Sequence, residues 1–277
     1  MREVAAARGY RELRVVGEGL EFRVFAAVDP DGSRVVLRTP VGGRFQANPN
    51  DPHVDTREVL AWEYAVTRHV AAYGVPVARA RELVRGESDV LISDYVPDDG
   101  NGVDPVALGV VLKRLHGLPP PARTGGDLAG RIVRRWREVA ARVPDLPPAP
   151  EVASVLRAGR SLVHLDVRAA NLRGVGGAPL ALLDWSNALV GDPRLELGRL
   201  AEFARLPDNG IDLPAVLAGY GESEPDDAAY WAYRLDAAVM LALVFLAEAP
   251  DAARAAAAVD RMRAIRERLD YHRNDKR

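Results

Sequence analysis

The stretch HLDVRAAN sets His164, Asp166, Arg168 and Asn171 close together, directly behind the apolar pair Leu162-Val163. A carboxylate placed this way at a strand end can accept a proton as a general base. The chain continues LRGVGGAPLALLDW, where Val175-Gly176-Gly177 invites a turn between two short strands. Pairing of residue 172 with 183 sets Asn171 opposite Asp184, within roughly 5 Å. An amide oxygen and a carboxylate that close can hold a hard cation such as Mg²⁺. Asp166 stands just before this hairpin, available as the base.

The elements that must position these groups fall into two parts. The first ~95 residues read as β-rich. RVVGEGLEFRVFAAV gives two apolar runs around Gly17 and Gly19, DPDG marks a turn, and SRVVLRTP follows as a third strand, a three-strand meander. A helix is expected from Asp55, with Glu58 three residues on as in a capping box, to about Tyr73 before Gly74. VPVARARELVRG and ESDVLISDYVP read as two more strands, and DDGNG then punctuates the chain.

Beyond that point the pattern turns helical. VDPVALGVVLKRLHGL places Leu108, Val111, Leu112 and Leu115 at helical spacing. LPPPARTGG and VPDLPPAPE flank an Arg-rich helix at about 128–142, and the last helix carries the apolar stripe Val259, Met262, Ile265 and Leu269. The expected organisation is residues 1–95 as a sheet-plus-helix lobe and 96–277 as a helical lobe, with a ligand cleft where they join.

The totals narrow the function. Of 277 residues 48% are hydrophobic and 27% charged, with a net charge of −2, an ordinary globular composition without a basic excess for nucleic acid. The absence of cysteine removes disulfides, thiolate catalysis and cysteine zinc sites together, and fits a cytoplasmic protein. The beginning MREVAAARGYREL lacks a signal-peptide core, and the longest apolar run, Ala237 to Ala247, falls short of the ~20 residues a bilayer requires. No membrane or nucleic-acid partner is expected, and a monomer or homodimer is. No G-x-S-x-G elbow suggests a hydrolase. The basic residues are almost all arginine; Lys113 and Lys276 are the two lysines.

The order H-x-D-x(4)-N then D-W, in VHLDVRAANL and LLDWSNALVGDPRLELGRL, resembles the catalytic and metal-binding segments of the aminoglycoside phosphotransferase and choline kinase families. The resemblance covers about residues 12–205 and implies an α+β, two-lobed protein-kinase-like fold: a small β-rich N-lobe and a larger, mainly helical C-lobe. It implies that Asp166 accepts the proton of a substrate hydroxyl, that Asn171 and Asp184 hold Mg²⁺ on the phosphates of ATP or GTP, and that His164 is architectural, bonding the metal-loop backbone. Arg168 would contact the γ-phosphate or brace Asp166. Asp192-Pro193 reads as the N-cap and first residue of the next helix.

A kinase also needs a cation over the phosphates and a carboxylate to position it. In the helix from Asp55, Val59, Val66 and Val70 define one face, and Glu63 falls on it. A carboxylate on a buried face needs a partner, and Arg38 in VVLRTP is the candidate. The family commonly has lysine at that strand position, and this N-terminal part contains none. GEGLEF, with Gly17 and Gly19, would be the phosphate-covering turn. Asp94-Tyr95-Val96 falls at the hinge, where the main chain of Asp94 and Val96 would bond the purine.

HLDVRAAN is also close to the tyrosine-kinase catalytic loop. Against a protein kinase, Asp184 is followed by Trp-Ser rather than Phe-Gly, no Ala-Pro-Glu segment follows, and a helix begins where an activation segment would need length. The expected activity is therefore Mg²⁺-dependent transfer of the γ-phosphate to a hydroxylated small molecule. An antibiotic (aminoglycoside, basic peptide or macrolide) is the favoured acceptor. A metabolic kinase for choline-like alcohols or sugars and a nucleotide-binding pseudokinase are the alternatives. Asp208, Asp212, Glu222, Glu224, Asp226, Asp227 and Asp236, if they rim the site, would favour a cationic acceptor.

Overall fold

The computed structural model describes residues 1–122 and 126–274; Arg123–Gly125 of the LPPPARTGG stretch and Lys276 lie outside the described residues. In chain order the elements are α1 (Arg2–Ala7), β1 (Arg11–Glu18), β2 (Phe22–Val28), β3 (Arg34–Pro40), β4 (Phe45–Gln46), β5 (Val54–Asp55), α2 (Thr56–Ala72), β6 (Ala80–Val84) and β7 (Val90–Asp94). Then follow α3 (Pro105–His116), α4 (Leu128–Ala140), β8 (Ser161–Val163), β9 (Leu172–Val175), β10 (Ala178–Leu182), β11 (Leu189–Gly191), α5 (Arg194–Phe203), α6 (Leu213–Tyr220), α7 (Ala228–Leu243) and α8 (Ala252–Asn274). The fold is mixed α+β, and the chain divides into two units.

The first unit comprises residues 1–47, 52–104 and 171–186. Its five-stranded sheet has the order β1-β2-β3-β7-β6, with β1, β2 and β3 as the antiparallel meander. Strand alternation divides its side chains between two faces. Ala27, Val35, Leu37, Val90 and Ile92 form a core on one. Phe22, Ala80 and Leu91 pack with Leu60 of α2 on the other. Arg38 alternates with Leu37 and pairs in register with Leu91, so its side chain belongs to the helix-covered face. Asp55 caps α2 by accepting from the Arg57 N–H at 3.0 Å. The buried face of α2 runs through Leu60, Glu63, Val66 and Val70. Its first apolar anchor is Leu60 rather than Val59, which is only half-buried.

The second unit comprises residues 48–51, 105–170 and 187–277. Its main core joins α4, α7 and α8 through Trp136, Leu235, Val239, Met262, Ile265 and Leu269. The apolar stripe expected on the last helix is fully buried there. The segment Ala228–Glu248 is long and apolar enough to cross a membrane, but 78% of its most apolar window is buried inside the protein. Two glycines let α3 and α6 touch: a Cβ at Gly109 would lie 2.0 Å from the Val216 carbonyl oxygen, and one at Gly219 would lie 1.9 Å from that of Val106. The short pair β8–β11, with Val163 opposite Leu189, leads straight into HLDVRAAN.

Candidate active site

In the first unit one guanidinium ties together groups far apart in sequence. Arg38 Nη1 donates to Glu63 Oε2 at 2.6 Å and to Asp184 Oδ1 at 2.9 Å. The guanidinium also sits over the Phe22 ring, 4.3 Å from its centroid. Burial opposes the charge on Arg38, but the carboxylates of Asp184 and Glu63 outweigh it and hold the guanidinium protonated. Burial pushes the Glu63 carboxyl up; Arg38 and the Trp185 backbone N–H pull the other way. Arg38 Nε is buried without a hydrogen-bond partner. A buried donor left unmade is costly, and Nε is the orphaned polar atom of this pair.

Asp184 follows the β9–β10 hairpin. The register differs from the one expected: Leu172 pairs with Leu182, not with residue 183. An irregularity between Pro179 and Ala181 absorbs one residue. The Leu183 N–H donates to the Asn171 carbonyl oxygen at 2.8 Å, so the hairpin still closes next to Asn171. Asp184 has left the strand by then, with φ +60°, a left-handed conformation that is uncommon outside glycine. Ser186 Oγ bonds Asp184 Oδ1 at 2.7 Å, and the buried Trp185 indole donates to Leu182 O at 3.0 Å, which fixes this turn. One carboxylate and one amide would be hard oxygen donors, and such a pair would suit Mg²⁺, which keeps most of its shell for water and phosphate. No group of three or more His, Cys, Asp or Glu placed to hold a metal ion occurs among the described residues.

Gly17 and Gly19 occupy the end of β1 and the turn to β2, where the Gly19 N–H donates to Phe22 O at 2.8 Å. A Cβ at either position would meet nothing closer than 3.9 Å. The fold itself therefore does not require glycine at either place. Asp94 ends β7, where its side chain accepts from Arg81 Nε at 2.5 Å, and the half-buried Val96 follows it. The structure thus joins Arg38, Glu63 and Asp184 directly, while the Asp94 side chain is engaged with Arg81.

The second unit carries Asp166 and Arg168, and Arg168 Nε donates to Asp166 Oδ1 at 3.2 Å. The loop holding them is gripped at its main chain. The His164 N–H donates to Glu196 Oε2, and the Leu165 N–H donates to both Glu196 oxygens at 3.0 and 3.1 Å. Arg199 Nη1 donates to Leu165 O at 3.0 Å. His164 Nδ1 accepts from the Asp166 N–H at 3.1 Å, which leaves Nε2 to carry the proton of the neutral ring. Leu165 adopts φ +64°, a strained conformation for a branched residue that these bonds maintain. Glu196 and Arg199 lie three residues apart on α5, on one helix face.

Behind this grip stands Asp236 of α7, fully buried. Arg199 Nη2 donates to it at 3.0 Å, Arg131 bonds both its oxygens at 3.0 and 2.8 Å, and Arg135 Nη1 lies at 3.4 Å. Burial would raise the Asp236 carboxyl, but Arg131, Arg135 and Arg199 hold it far below the usual carboxylate range. Burial would likewise raise Glu196; the neighbouring His116, with Nε2 at 3.9 Å, His164 and the Leu165 N–H more than offset that, and it lies below its usual range. Glu196, Arg199 and Asp236 are absent from the expected site residues. Their sequence signal is a pair of charges in the apolar frame LELGRL, and one acid inside the apolar run of α7. Asp192 does cap the start of α5, accepting from the Arg194 N–H at 2.9 Å.

The seven acidic residues expected to draw a cationic acceptor each have a partner within the protein, and only Asp236 among them is fully buried. Asp208 pairs with Arg254, Glu222 with Lys113, Glu224 with Arg234, and Asp227 with Arg157 and Arg194. Asp212 caps α6, Asp226 accepts from the Trp231 indole, and Asp236 holds its three arginines. Of the seven, Asp236 therefore cannot belong to a surface rim.

With this geometry in view, the comparisons with known proteins are direct. The family model described as the phosphotransferase enzyme family matches residues 12–234. The chain belongs to that phosphotransferase family. Its fold is shared with solved aminoglycoside and macrolide phosphotransferases. It is similar to a thermostable mutant of aminoglycoside phosphotransferase APH(4)-Ia in complex with AMP-PNP and hygromycin B, at 19% identity over 96% of this chain and 97% of that one, with a TM-score of 0.62. It is similar to APH(2")-IIa in complex with gentamicin, at 14% identity over 94% of each chain, with a TM-score of 0.67. It is similar to the macrolide 2'-phosphotransferase MphH of Brachybacterium faecium, at 20% identity over 93% of this chain and 94% of that one, with a TM-score of 0.55. Among curated protein sequences nothing matches significantly.

Proposed function

We propose that the protein transfers the γ-phosphoryl group of ATP or GTP to a hydroxyl of a small molecule, with an antibiotic as the acceptor class and resistance as the outcome. The observation that carries this reading is the Arg38 guanidinium shared between Glu63 and Asp184. It is the pairing a phosphoryl-transfer site requires, made with arginine in place of lysine. Arginine suits the task because its fork can grip a carboxylate and still present further N–H donors to phosphate oxygens. The unpartnered Arg38 Nε is such a donor.

In this reading the backbone of the Gly17–Gly19 turn covers the phosphates, and the absence of Cβ atoms keeps that approach open. The main chain at Asp94 and Val96 receives the purine. Asn171 and Asp184 hold Mg²⁺, which would neutralise charge on the phosphates when bound. Asp166 accepts the acceptor's hydroxyl proton while that oxygen forms its bond to the γ-phosphorus. The bond from the γ-phosphorus to the bridging oxygen breaks and the nucleoside diphosphate departs. Arg168 steadies the Asp166 carboxylate through its 3.2 Å bond.

The related structures named above support a small-molecule acceptor, and a macrolide, sugar or amino alcohol stands alongside an aminoglycoside as a candidate. The test is a coupled ADP or GDP release assay with Mg²⁺-ATP and Mg²⁺-GTP across aminoglycosides, macrolides, basic peptide antibiotics, choline and sugars. Acceptor-dependent release that disappears in Asp166→Ala supports the reading. Absence of stimulation by every acceptor turns it toward a nucleotide-binding pseudokinase.

A further inference from the structure

A second cavity lies within the helical unit, about 690 Å³ in volume, and none of residues 164–171 lines it. Its walls come from the start of α4, the far end of the β8–β11 pair and Tyr233 of α7. The size is that of a small-molecule site. The charged side chains on its wall are Asp127, Arg131, Arg134, Arg157 and Asp192.

The two acids are already used. Asp127 caps α4 by accepting from the Gly130 N–H at 2.9 Å. Asp192 accepts from Arg194 and, at 3.1 Å, from the Tyr233 hydroxyl. The three arginines are not used to the same extent. Arg157 spends one Nη on Asp227 at 2.8 Å, and Arg131 spends Nε and one Nη on Asp236. Arg134 has no carboxylate partner among the described residues; it donates to the Asn50 backbone carbonyl at 2.8 Å. Arg131 and Arg134 are three apart on α4 and so share a face.

The surroundings add charge of the same sign. Arg131, Arg135 and Arg199 share the single carboxylate of Asp236, and Arg134 and Arg135 both donate to the Asn50 carbonyl, with Glu248 contributing only through its bonds to Asn50. Arg199 Nε is buried without a hydrogen-bond partner, and Arg135 is held below its usual value by burial and by the charges of Arg131, Arg199 and Arg134. A buried cation excess of this kind is unfavourable unless an anion approaches it. Guanidinium forks suit oxyanions of tetrahedral geometry.

We propose that this cavity is a binding site for a compact phosphate group, carried by a small phosphorylated molecule or by the free ion, and held by Arg131, Arg134 and Arg157. It is separate from the phosphoryl-transfer residues and does not depend on the reading given to them.

The test is calorimetric titration of the full-length protein with inorganic phosphate and with glycerol 3-phosphate, at constant ionic strength maintained with chloride. Binding should weaken at least tenfold in Arg134→Gln and in Arg157→Gln and persist in Arg38→Gln. Arg157 is exposed, so its variant reports on the cavity even where loss of the Arg134–Asn50 contact alters folding, and circular dichroism confirms that all three variants, Arg38→Gln included, are folded before titration. Tighter binding of glycerol 3-phosphate identifies a phosphorylated metabolite as the ligand, and equal binding identifies the free ion. No heat from either anion, heat unchanged in both cavity variants, or heat lost in Arg38→Gln would overturn the assignment.

Discussion

Arg199 donates a hydrogen bond of 3.0 Å to the carbonyl of Leu165, the residue immediately before Asp166. The same guanidinium bonds Asp236 at 3.0 Å, so a buried carboxylate on α7 governs the path of the loop that carries the proposed base. Displacement of a reacting group by about 1 Å costs on the order of 10²-fold in rate. Arg199→Ala is therefore expected to lower kcat by about that factor with little change in the acceptor KM. Steady-state kinetics of Arg199→Ala and Arg199→Lys measure this. A KM effect of the same size as the kcat effect would contradict it.

Asp166→Asn removes the proton acceptor and keeps the side-chain size. General-base contributions are typically ~10²–10⁴-fold, and kcat is expected to fall in that range. Binding of a non-hydrolysable nucleotide should be unchanged, because the predicted nucleotide contacts, Arg38, Glu63 and Asp184, belong to the first unit. Fluorescence titration alongside turnover separates the two effects.

Arg38 and Glu63 are expected to be strongly coupled. Losing one partner of a buried pair costs roughly 3–5 kcal/mol, and replacing both by apolar residues is often neutral. Glu63 is 7% exposed. Arg38→Met should accordingly lower the melting temperature more than the double variant Arg38→Met/Glu63→Leu does, while both lose transferase activity. Additive losses would show that the two side chains act independently.

Acid should loosen the catalytic loop. Glu196 and Asp236 both titrate below their usual ranges in the folded protein. A depressed carboxyl contributes stability above its unfolded value, ~4, and loses it as the pH falls toward the folded value. Urea midpoints should thus be level near neutrality and decline below about pH 4.5. Glu196→Gln should start lower and decline less, since it no longer exchanges that proton.

Close helix approach makes a purely steric prediction. A methyl group at Gly109 meets the Val216 carbonyl at 2.0 Å, and backbone cannot yield as a side-chain tip can. Overpacking typically costs ~1–3 kcal/mol. Gly109→Ala should lower the melting temperature by several degrees, whereas alanine at Gly100, where a Cβ meets nothing, should act only through its φ of +76°.

The Arg38–Glu63 pair was legible in the residues, because a carboxylate on the buried face of a helix needs a cation on the neighbouring strand. Glu63 itself was legible because helical spacing sets it with Val59, Val66 and Val70, although the helix anchors on Leu60 rather than Val59. The hairpin register was not, since an irregularity beside Pro179 shifts the pairing by one and leaves no mark in the pattern. Asp236 was misread as a surface acid for a simpler reason. Its partners Arg131, Arg135 and Arg199 lie on two other helices, and only tertiary packing brings them around it. Remote partners likewise hold Asp208, Glu222 and Asp227, through Arg254, Lys113, and Arg157 with Arg194.

Arginine at position 38 also changes how the site meets chemical reagents. Acylating nucleotide analogues and sulfonyl fluorides that inactivate kinases do so through a nucleophilic amine beside the phosphates. Here the first unit holds no lysine, and the protein's two, Lys113 and Lys276, belong to the second unit's part of the sequence. A guanidinium that stays protonated is a poor nucleophile. Position 38 is therefore closed to amine-directed warheads, and its buried, protonated, doubly ion-paired guanidinium resists arginine-directed dicarbonyls as well.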